Sequence, residues 1–297
     1  LRRTALFESH VSLGAKMIDF HGFELPIWYS SIQEEHLDTR RSAGLFDVSH
    51  MGFFRFRGED VRAWLSSVST QECMKFQPGS CGYCHFLDYN GHIIDDMIFA
   101  VSSEAEILGV PNSTMVQIVF DWLSKLLPKD DSISIEDLSE TTSIIAIQGP
   151  KTEQVLNEIL GKENCVRRFR CQKITENELG ITGWIQGTGY TGERGFEIFI
   201  PNEQSTRLWN ALLSHSCVSP VGLGARDTLR MEKGYLLSGQ DFLWPEIDLV
   251  KGELPDNFLA RSTSETSVPY GLDLSHDFVG RDALIQPRNG ERLWGMQ

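Results

Sequence analysis

Long apolar runs are missing from this chain. A membrane-crossing helix needs roughly 18–20 consecutive apolar residues, and the longest clean run, near residues 142–147, is only strand-sized. Cysteine is sparse: Cys73, Cys81, Cys84, Cys165, Cys171 and Cys217 are the six in 297 residues. That excludes a disulfide-built scaffold and fits a reducing compartment. Positive charge is the minority sign, with 27 Lys plus Arg against 41 Asp plus Glu and a formal charge of −14. Binding to nucleic acid through bulk charge is therefore excluded, although a local basic patch is not. Low-complexity stretches and fixed-period repeats are absent too. Leu1 rather than Met leads the chain, so a trimmed or processed start is expected. What remains is globular composition, 41% hydrophobic and 23% charged, long enough for two or three modules.

Short strands and helices alternate irregularly, which predicts an α+β fold rather than a regular βαβ winding. Ser31-Ile32-Gln33-Glu34 reads as a capping box opening a helix that stops near Ser42, with Gly44 at C′. Residues 59–68 read as a helix with Val61, Trp64 and Leu65 on one face. Asn90-Gly91 sits between strand-like runs at 81–88 and 93–101, a strong hairpin signal. Residues 113–127 form an amphipathic helix, and Pro150 stands at or near the first position of a helix over 151–160. A second hairpin is expected from 183–190 and 196–200, and helices over 206–214 and 224–233. Residues 243–267 are polar and proline-containing, and read as a long irregular insertion.

The sharpest chemical feature is Ile93-Ile94-Asp95-Asp96-Met97-Ile98-Phe99. Alternation puts Asp96 with Ile94 and Ile98, and Asp95 with Ile93, Met97 and Phe99. At least one carboxylate then sits among apolar side chains, which is costly unless hydrogen bonds or a charge meet it. A strand-end Asp bonded to backbone or to an Arg is the plainer alternative. Gly187-Thr188-Gly189-Tyr190-Thr191-Gly192 matches G-x-G-x-x-G, but a strand rather than a helix follows, so the phosphate-cradling mechanism fails. Within that strand Glu197 shares a face with Phe199, which also suits a half-exposed edge. Arg226 falls in the first turn of a helix, against the helix dipole, and needs a carboxylate or an anionic ligand. Cys81-Gly82-Tyr83-Cys84-His85 has one cysteine pair where a zinc site needs two blocks. Asp47, Ser49 and His50 form a weak hydrolase set, since no G-x-S-x-G elbow exists. Arg167, Arg168, Arg170 and Lys173 make a local basic cluster, either a solvated face or a dock for an acidic partner.

Taken in order, several segments resemble the T-protein (aminomethyltransferase) family of the glycine cleavage system. They are residues 13–20, Gly44-Leu45-Phe46-Asp47-Val48-Ser49-His50-Met51-Gly52, Gly91-His92-Ile93-Ile94-Asp95-Asp96, Gln148-Gly149-Pro150, residues 189–197, Gly222-Leu223-Gly224-Ala225-Arg226-Asp227, residues 235–241 and Asp277-Phe278-Val279-Gly280. The ordered set covers nearly the whole chain. The family's Pro-x-Glu-x-Gly stretch is here Pro269-Tyr270-Gly271, after the long 242–267 segment.

The resemblance implies a folate-binding fold of two interleaved α/β subdomains over residues 1–280, with 281–297 starting a C-terminal β-barrel that is largely absent. It implies tetrahydrofolate in a central channel as cosubstrate, no metal, and lipoylated H-protein as partner, with no nucleic acid or membrane involved. The products would be 5,10-methylenetetrahydrofolate, ammonia and the reduced lipoyl arm. The catalytic carboxylate of the family falls on Asp96, its pterin-binding glutamate on Glu197 and its folate-side arginine on Arg226. Met51, Asn112 and Tyr190 match pocket-lining positions. A cytoplasmic location follows, or the mitochondrial matrix in a eukaryote. The family also holds folate-dependent demethylases and non-catalytic assembly factors. The latter carry a Lys-Gly-Cys-Tyr-x-Gly-Gln-type motif, whereas Lys233-Gly234-Tyr235-Leu236-Leu237-Ser238-Gly239-Gln240 has no cysteine.

Overall fold

The computed structural model describes residues 1–247, 258–266 and 268–285. In chain order the strands are β1 (Lys16–Phe20), β2 (Phe23–Trp28), β3 (Ala43–Asp47), β4 (Phe54–Arg57), β5 (Ser80–Leu87), β6 (Ile93–Ser103), β7 (Glu106–Pro111), β8 (Ser134–Asp137), β9 (Thr142–Gln148), β10 (Cys171–Lys173), β11 (Trp184–Gln186), β12 (Gly195–Pro201) and β13 (Val218–Pro220). The chain divides into two compact units. One is built from Leu1–Met51 and Leu138–Tyr235, the other from Gly52–Asp137 and the described residues from Leu236 onward.

The first unit holds a six-stranded sheet in the order β10-β11-β12-β9-β3-β13 and the small β1-β2 ribbon. Its centre is antiparallel, β9 lying between β3 and β12, and only β13 runs parallel to β3. This is an α+β arrangement, as the irregular alternation of elements predicts. Leu45, Ile145, Ile147, Phe196, Ile198 and Ile200 form one sheet face against Val155, Leu156, Leu208, Trp209 and Leu212 from helices Thr152–Leu160 and Ser205–Leu213. Each such side chain contributes about 1.5–3 kcal/mol by leaving water, so the sheet is held by its helix-covered face.

The second unit holds a five-stranded antiparallel sheet in the order β5-β6-β7-β4-β8. Helices Val61–Val68 and Val116–Lys125 cover it, burying Val61, Trp64, Leu65, Val119 and Leu123 among Phe54, Phe56 and Phe99. The Asn90-Gly91 hairpin is present. Asp88 Oδ1 accepts from the N–H groups of Asn90 and His92, and Gly91 takes the positive φ of 75° that the turn requires.

Three local expectations change. The helix opened by Ser31 runs over Ile32–Arg41 with Ser42 as its cap, and Gly44 is already the second residue of β3. Pro150 lies just before Lys151, the cap of helix Thr152–Leu160. The period-two reading of β6 fails at its start. Phe86 opposes Asp95 but Leu87 opposes Ile93, so Ile94 is the extra residue of a bulge. Ile94 therefore joins Met97 and Phe99 in the core, while Ile93 packs with Leu87 and Phe242. Of the 242–267 segment, residues 248–257 and 267 lie outside the described residues, as do residues 286–297.

Candidate functional site

Each unit gathers one cluster of chemically capable side chains. In the second unit the hairpin register opposes His85 to Asp96 and Tyr83 to Ile98. Residues two apart on a strand share a face, and diagonal neighbours across a pair are within reach of long side chains. Tyr83, His85 and Asp96 are therefore brought together by register alone. The Tyr83 hydroxyl donates to Asp96 Oδ2 at 2.7 Å, and His85 Nε2 lies 3.0 Å from that hydroxyl. Asn112, just past β7, donates through Nδ2 to Asp96 Oδ1 at 2.6 Å and to Asp95 Oδ1 at 2.8 Å. Its backbone N–H reaches Asp95 Oδ2 at 3.1 Å.

Asp95 is fully buried and Asp96 half-buried. Burial raises both carboxyls above the usual carboxylate range. The charge of Asp96 adds to the rise at Asp95, while the Tyr83 and Asn112 hydrogen bonds restrain it at Asp96. The pair therefore holds a proton to higher pH than free carboxyls would. At least one aspartate among apolar side chains is what alternation predicts, and Asp95 is that residue.

In the first unit, β12 carries Glu197 opposite Gln186, and Thr188 Oγ1 donates to Glu197 Oε2. Tyr190 stacks on Tyr235, with ring centroids 5.8 Å apart and planes 18° from parallel. Arg226, on helix Leu223–Lys233, lays its guanidinium 4.7 Å from the Tyr190 ring centroid. Burial pulls this guanidinium's pKa down, and the neighbouring Tyr190 and Glu197 oppose that. The predicted need of Arg226 for a negative partner is thus met partly by Glu197 at longer range and partly by an aromatic face. His50 lies near enough to feel the Arg226 charge. Burial first, and that charge second, push its imidazole down to about 3. Its Nδ1 is buried with no hydrogen-bond partner. Met51, next in the chain, is half-buried in a turn whose N–H meets Val48 O at 3.0 Å.

The structure thus brings Asp96 together with Asn112, and Glu197 with Tyr190 and Arg226. The hydrolase set does not assemble. Asp47 accepts from His10 Nε2 at 2.8 Å and Thr4 Oγ1 at 2.6 Å, and Ser49 Oγ bonds the backbone of Ile144. The G-x-G-x-x-G run is the loop before β12, as the absent helix implies. Its Gly189, with Gly195, leaves room for the Gln148 side chain: a Cβ at either would lie 2.0–2.2 Å from the amide. Arg168 of the basic cluster donates to the carbonyls of Gly192 and Glu193 in the same loop. Among the described residues no three His, Cys, Asp or Glu converge as a metal-binding group. No described helix is long and apolar enough to cross a membrane. Tyr83 and His85 escape motif reading, because Asp88 pairs with His92 around the loop Tyr89-Asn90-Gly91 and the bulge at Ile94 then resets the register, so that His85 rather than Cys84 meets Asp96.

The fold is thus an α+β chain with a carboxyl pair, Asp95 buried and Asp96 half-buried, in one unit and a Glu197–Tyr190–Arg226 group in the other. Residues 6–253 match the GCVT N-terminal domain model, and the chain belongs to this family, that of the glycine cleavage T-proteins or aminomethyltransferases. It is 35% identical over 292 residues to an aminomethyltransferase of Thermotoga sp. (strain RQ2), covering 97% of this chain and 75% of that protein. Against the aminomethyltransferase of Chlorobaculum parvum it is 40% identical over 245 residues, 81% of this chain and 67% of the relative. The crystal structure of glycine cleavage system aminomethyltransferase T from Bartonella henselae superposes with a TM-score of 0.75 at 32% identity. That match covers 81% of this chain and 65% of the solved one, so the chain spans about two thirds to three quarters of these proteins.

Proposed function

We propose that this chain carries out the aminomethyltransferase reaction of the glycine cleavage system with tetrahydrofolate as acceptor. The aminomethyl group arrives on the lipoyl arm of H-protein. Its carbon loses its bonds to sulfur and to the amino nitrogen, and gains bonds to N5 and N10 of the folate. The protons released from N5 and N10 leave with ammonia and with the dihydrolipoyl thiol, giving 5,10-methylenetetrahydrofolate. The partner sets the compartment: the cytoplasm, or the mitochondrial matrix in a eukaryote.

The observation that carries this reading is the Asp96 carboxyl, half-buried and fixed by Tyr83 and Asn112 in a chain whose relatives are aminomethyltransferases. A carboxylate so held suits N10, where it orients the cosubstrate for attack by N5 and stabilises developing positive charge. Glu197 is an acceptor for the amino and N–H donors of the pterin edge. Arg226 is the cation for the anionic glutamate tail. Tyr190 and Met51 offer an aromatic face and an apolar side chain to the ligand, and Asn112 holds the carboxylate. No metal is required by this chemistry.

The test is Asp96→Asn, assayed for ammonia and methylenetetrahydrofolate formed from aminomethylated H-protein. Transfer is expected to fall by about 100-fold or more, with the folded state retained by circular dichroism. Near wild-type transfer by a folded variant rejects the reading.

A further inference from the structure

Asp96 does not end its hydrogen-bond chain at Tyr83. Behind the Tyr83 hydroxyl stands His85 Nε2 at 3.0 Å, and behind the other ring nitrogen stands Thr263 Oγ1, 2.8 Å from Nδ1. His85 and Thr263 are buried, at 0% and 3% exposure, so bulk water does not compete for these groups. Thr263 comes from the 242–267 segment, to which the sequence assigns no role.

Proton counting gives the chain one direction. Tyr83 has a single hydroxyl proton and gives it to Asp96 Oδ2 at 2.7 Å. Its oxygen can therefore only accept from His85, so Nε2 carries the ring proton. Burial keeps this imidazole neutral, its pKa pushed down to about 3. Nδ1 is then bare and must accept, and Thr263 Oγ1 is its donor. The donors run from Thr263 to His85, to Tyr83, to Asp96.

The two flanking residues are rigidly placed. His85 N–H donates to Thr70 Oγ1 at 2.8 Å, and Thr70 Oγ1 donates in turn to Gly271 O at 2.6 Å. Thr263 opens the 3-10 turn Thr263–Glu265, closed by the reciprocal Ser262–Glu265 capping box. The Ile93 N–H reaches Arg261 O at 2.7 Å, which ties the segment to the start of β6.

We propose that His85 and Thr263 are positioning residues, which together fix the direction of the Tyr83 proton and so hold the Asp96 carboxylate ready for transfer. This rests on the reading that Asp96 serves the reaction. The other groups acting on Asp96 are Asp95, Asn112 and the Asp241 carboxylate. Of these Asn112 is the neutral donor and serves Asp96 Oδ1, whereas Tyr83 serves Oδ2.

Thr263→Val keeps the side-chain shape and removes the donor to Nδ1. The ring can then take the other tautomer, whose bare Nε2 competes with Asp96 for the Tyr83 proton. In the full chain, kcat is expected to fall about tenfold, as for one lost charge-assisted hydrogen bond, with KM for tetrahydrofolate within about twofold. The acidic limb of the kcat–pH profile is expected to move up by about one unit, and Thr263→Ser to restore both. A readout independent of activity is the ¹⁵N signature of the His85 ring in the wild-type chain, expected as bare Nδ1 and protonated Nε2. The opposite tautomer in the wild type, or an unmoved pH profile in Thr263→Val, overturns the proposal. Asp96→Asn in the same assay separates it from its premise. Retained transfer there overturns the role of Asp96, whereas loss there with an unmoved Thr263→Val profile overturns the positioning role alone.

Discussion

Asp95 and Asp96 share one donor: Asn112 Nδ2 lies 2.8 Å from Oδ1 of the first and 2.6 Å from Oδ1 of the second. Neighbours on a strand ordinarily point to opposite faces. Here both carboxyls turn to an amide that sits where β7 ends, opposite the start of β6. Two adjacent carboxylates with little water repel one another, and a common donor relieves part of that cost.

Asn112→Ala is expected to destabilise the chain by about 2–4 kcal/mol at neutral pH, since it strips a donor from both carboxyls. The sign with pH follows from their raised pKa values. A carboxyl whose folded pKa lies above its unfolded value is most favourable below the unfolded value and loses stability as pH rises through the folded one. The loss in Asn112→Ala is therefore larger at pH 8 than at pH 5. Urea unfolding at the two pH values measures this, and an equal loss at both contradicts the shared-donor account.

His50 sets an acid sensitivity in the first unit. Its folded pKa is held down to about 3, so below pH 6.5 the unfolded chain binds a proton that the folded chain refuses. Stability is expected to fall by up to about 1.4 kcal/mol per pH unit on this account as pH drops from about 6.5 toward 3. His50→Phe replaces a ring already packed edge-on against Phe20, at 5.4 Å between centroids. Stability curves from pH 6.5 to 4.5 should then lose about one proton's worth of slope. An unchanged slope rejects the assignment.

Gly195→Ala tests what the glycines around the G-x-G-x-x-G run are for. A Cβ there lies 2.2 Å from Gln148 Nε2. The amide cannot swing freely, because Thr191 Oγ1 donates to its Oε1 at 2.8 Å and it donates to Thr188 O at 3.2 Å. The substitution is expected to cost about 1–3 kcal/mol. In a Gln148→Ala background the added cost should shrink, as a double-mutant cycle of denaturant midpoints would show. Full additivity of the two changes would contradict the close approach.

Much of this molecule is legible locally. Asn90-Gly91 announces its hairpin, the stripe of Val61, Trp64 and Leu65 its helix, and the strand after Gly192 removes the dinucleotide reading. These signals depend on neighbours in the chain, and the physics of turns and periodicity acts at that range. The bulge at Ile94 was not legible, because it answers to packing of Ile93 and Ile94 into two different clusters. Nor was the role of Thr263, which meets His85 across 178 residues of sequence.

The sequence by itself determined the kind of chain this is: an acidic α+β protein, with an aspartate pair on an apolar strand and an ordered set of family segments. Tertiary structure alone decided which groups meet. Strand register set Tyr83 and His85 beside Asp96, and the end of β7 gave Asp95 and Asp96 a common amide. Helix Leu223–Lys233 laid Arg226 over Tyr190. The reason is physical. Local propensity acts over a few residues, but hydrogen bonds and charges act through space, and only the packed backbone says which distant residues come within 3 Å.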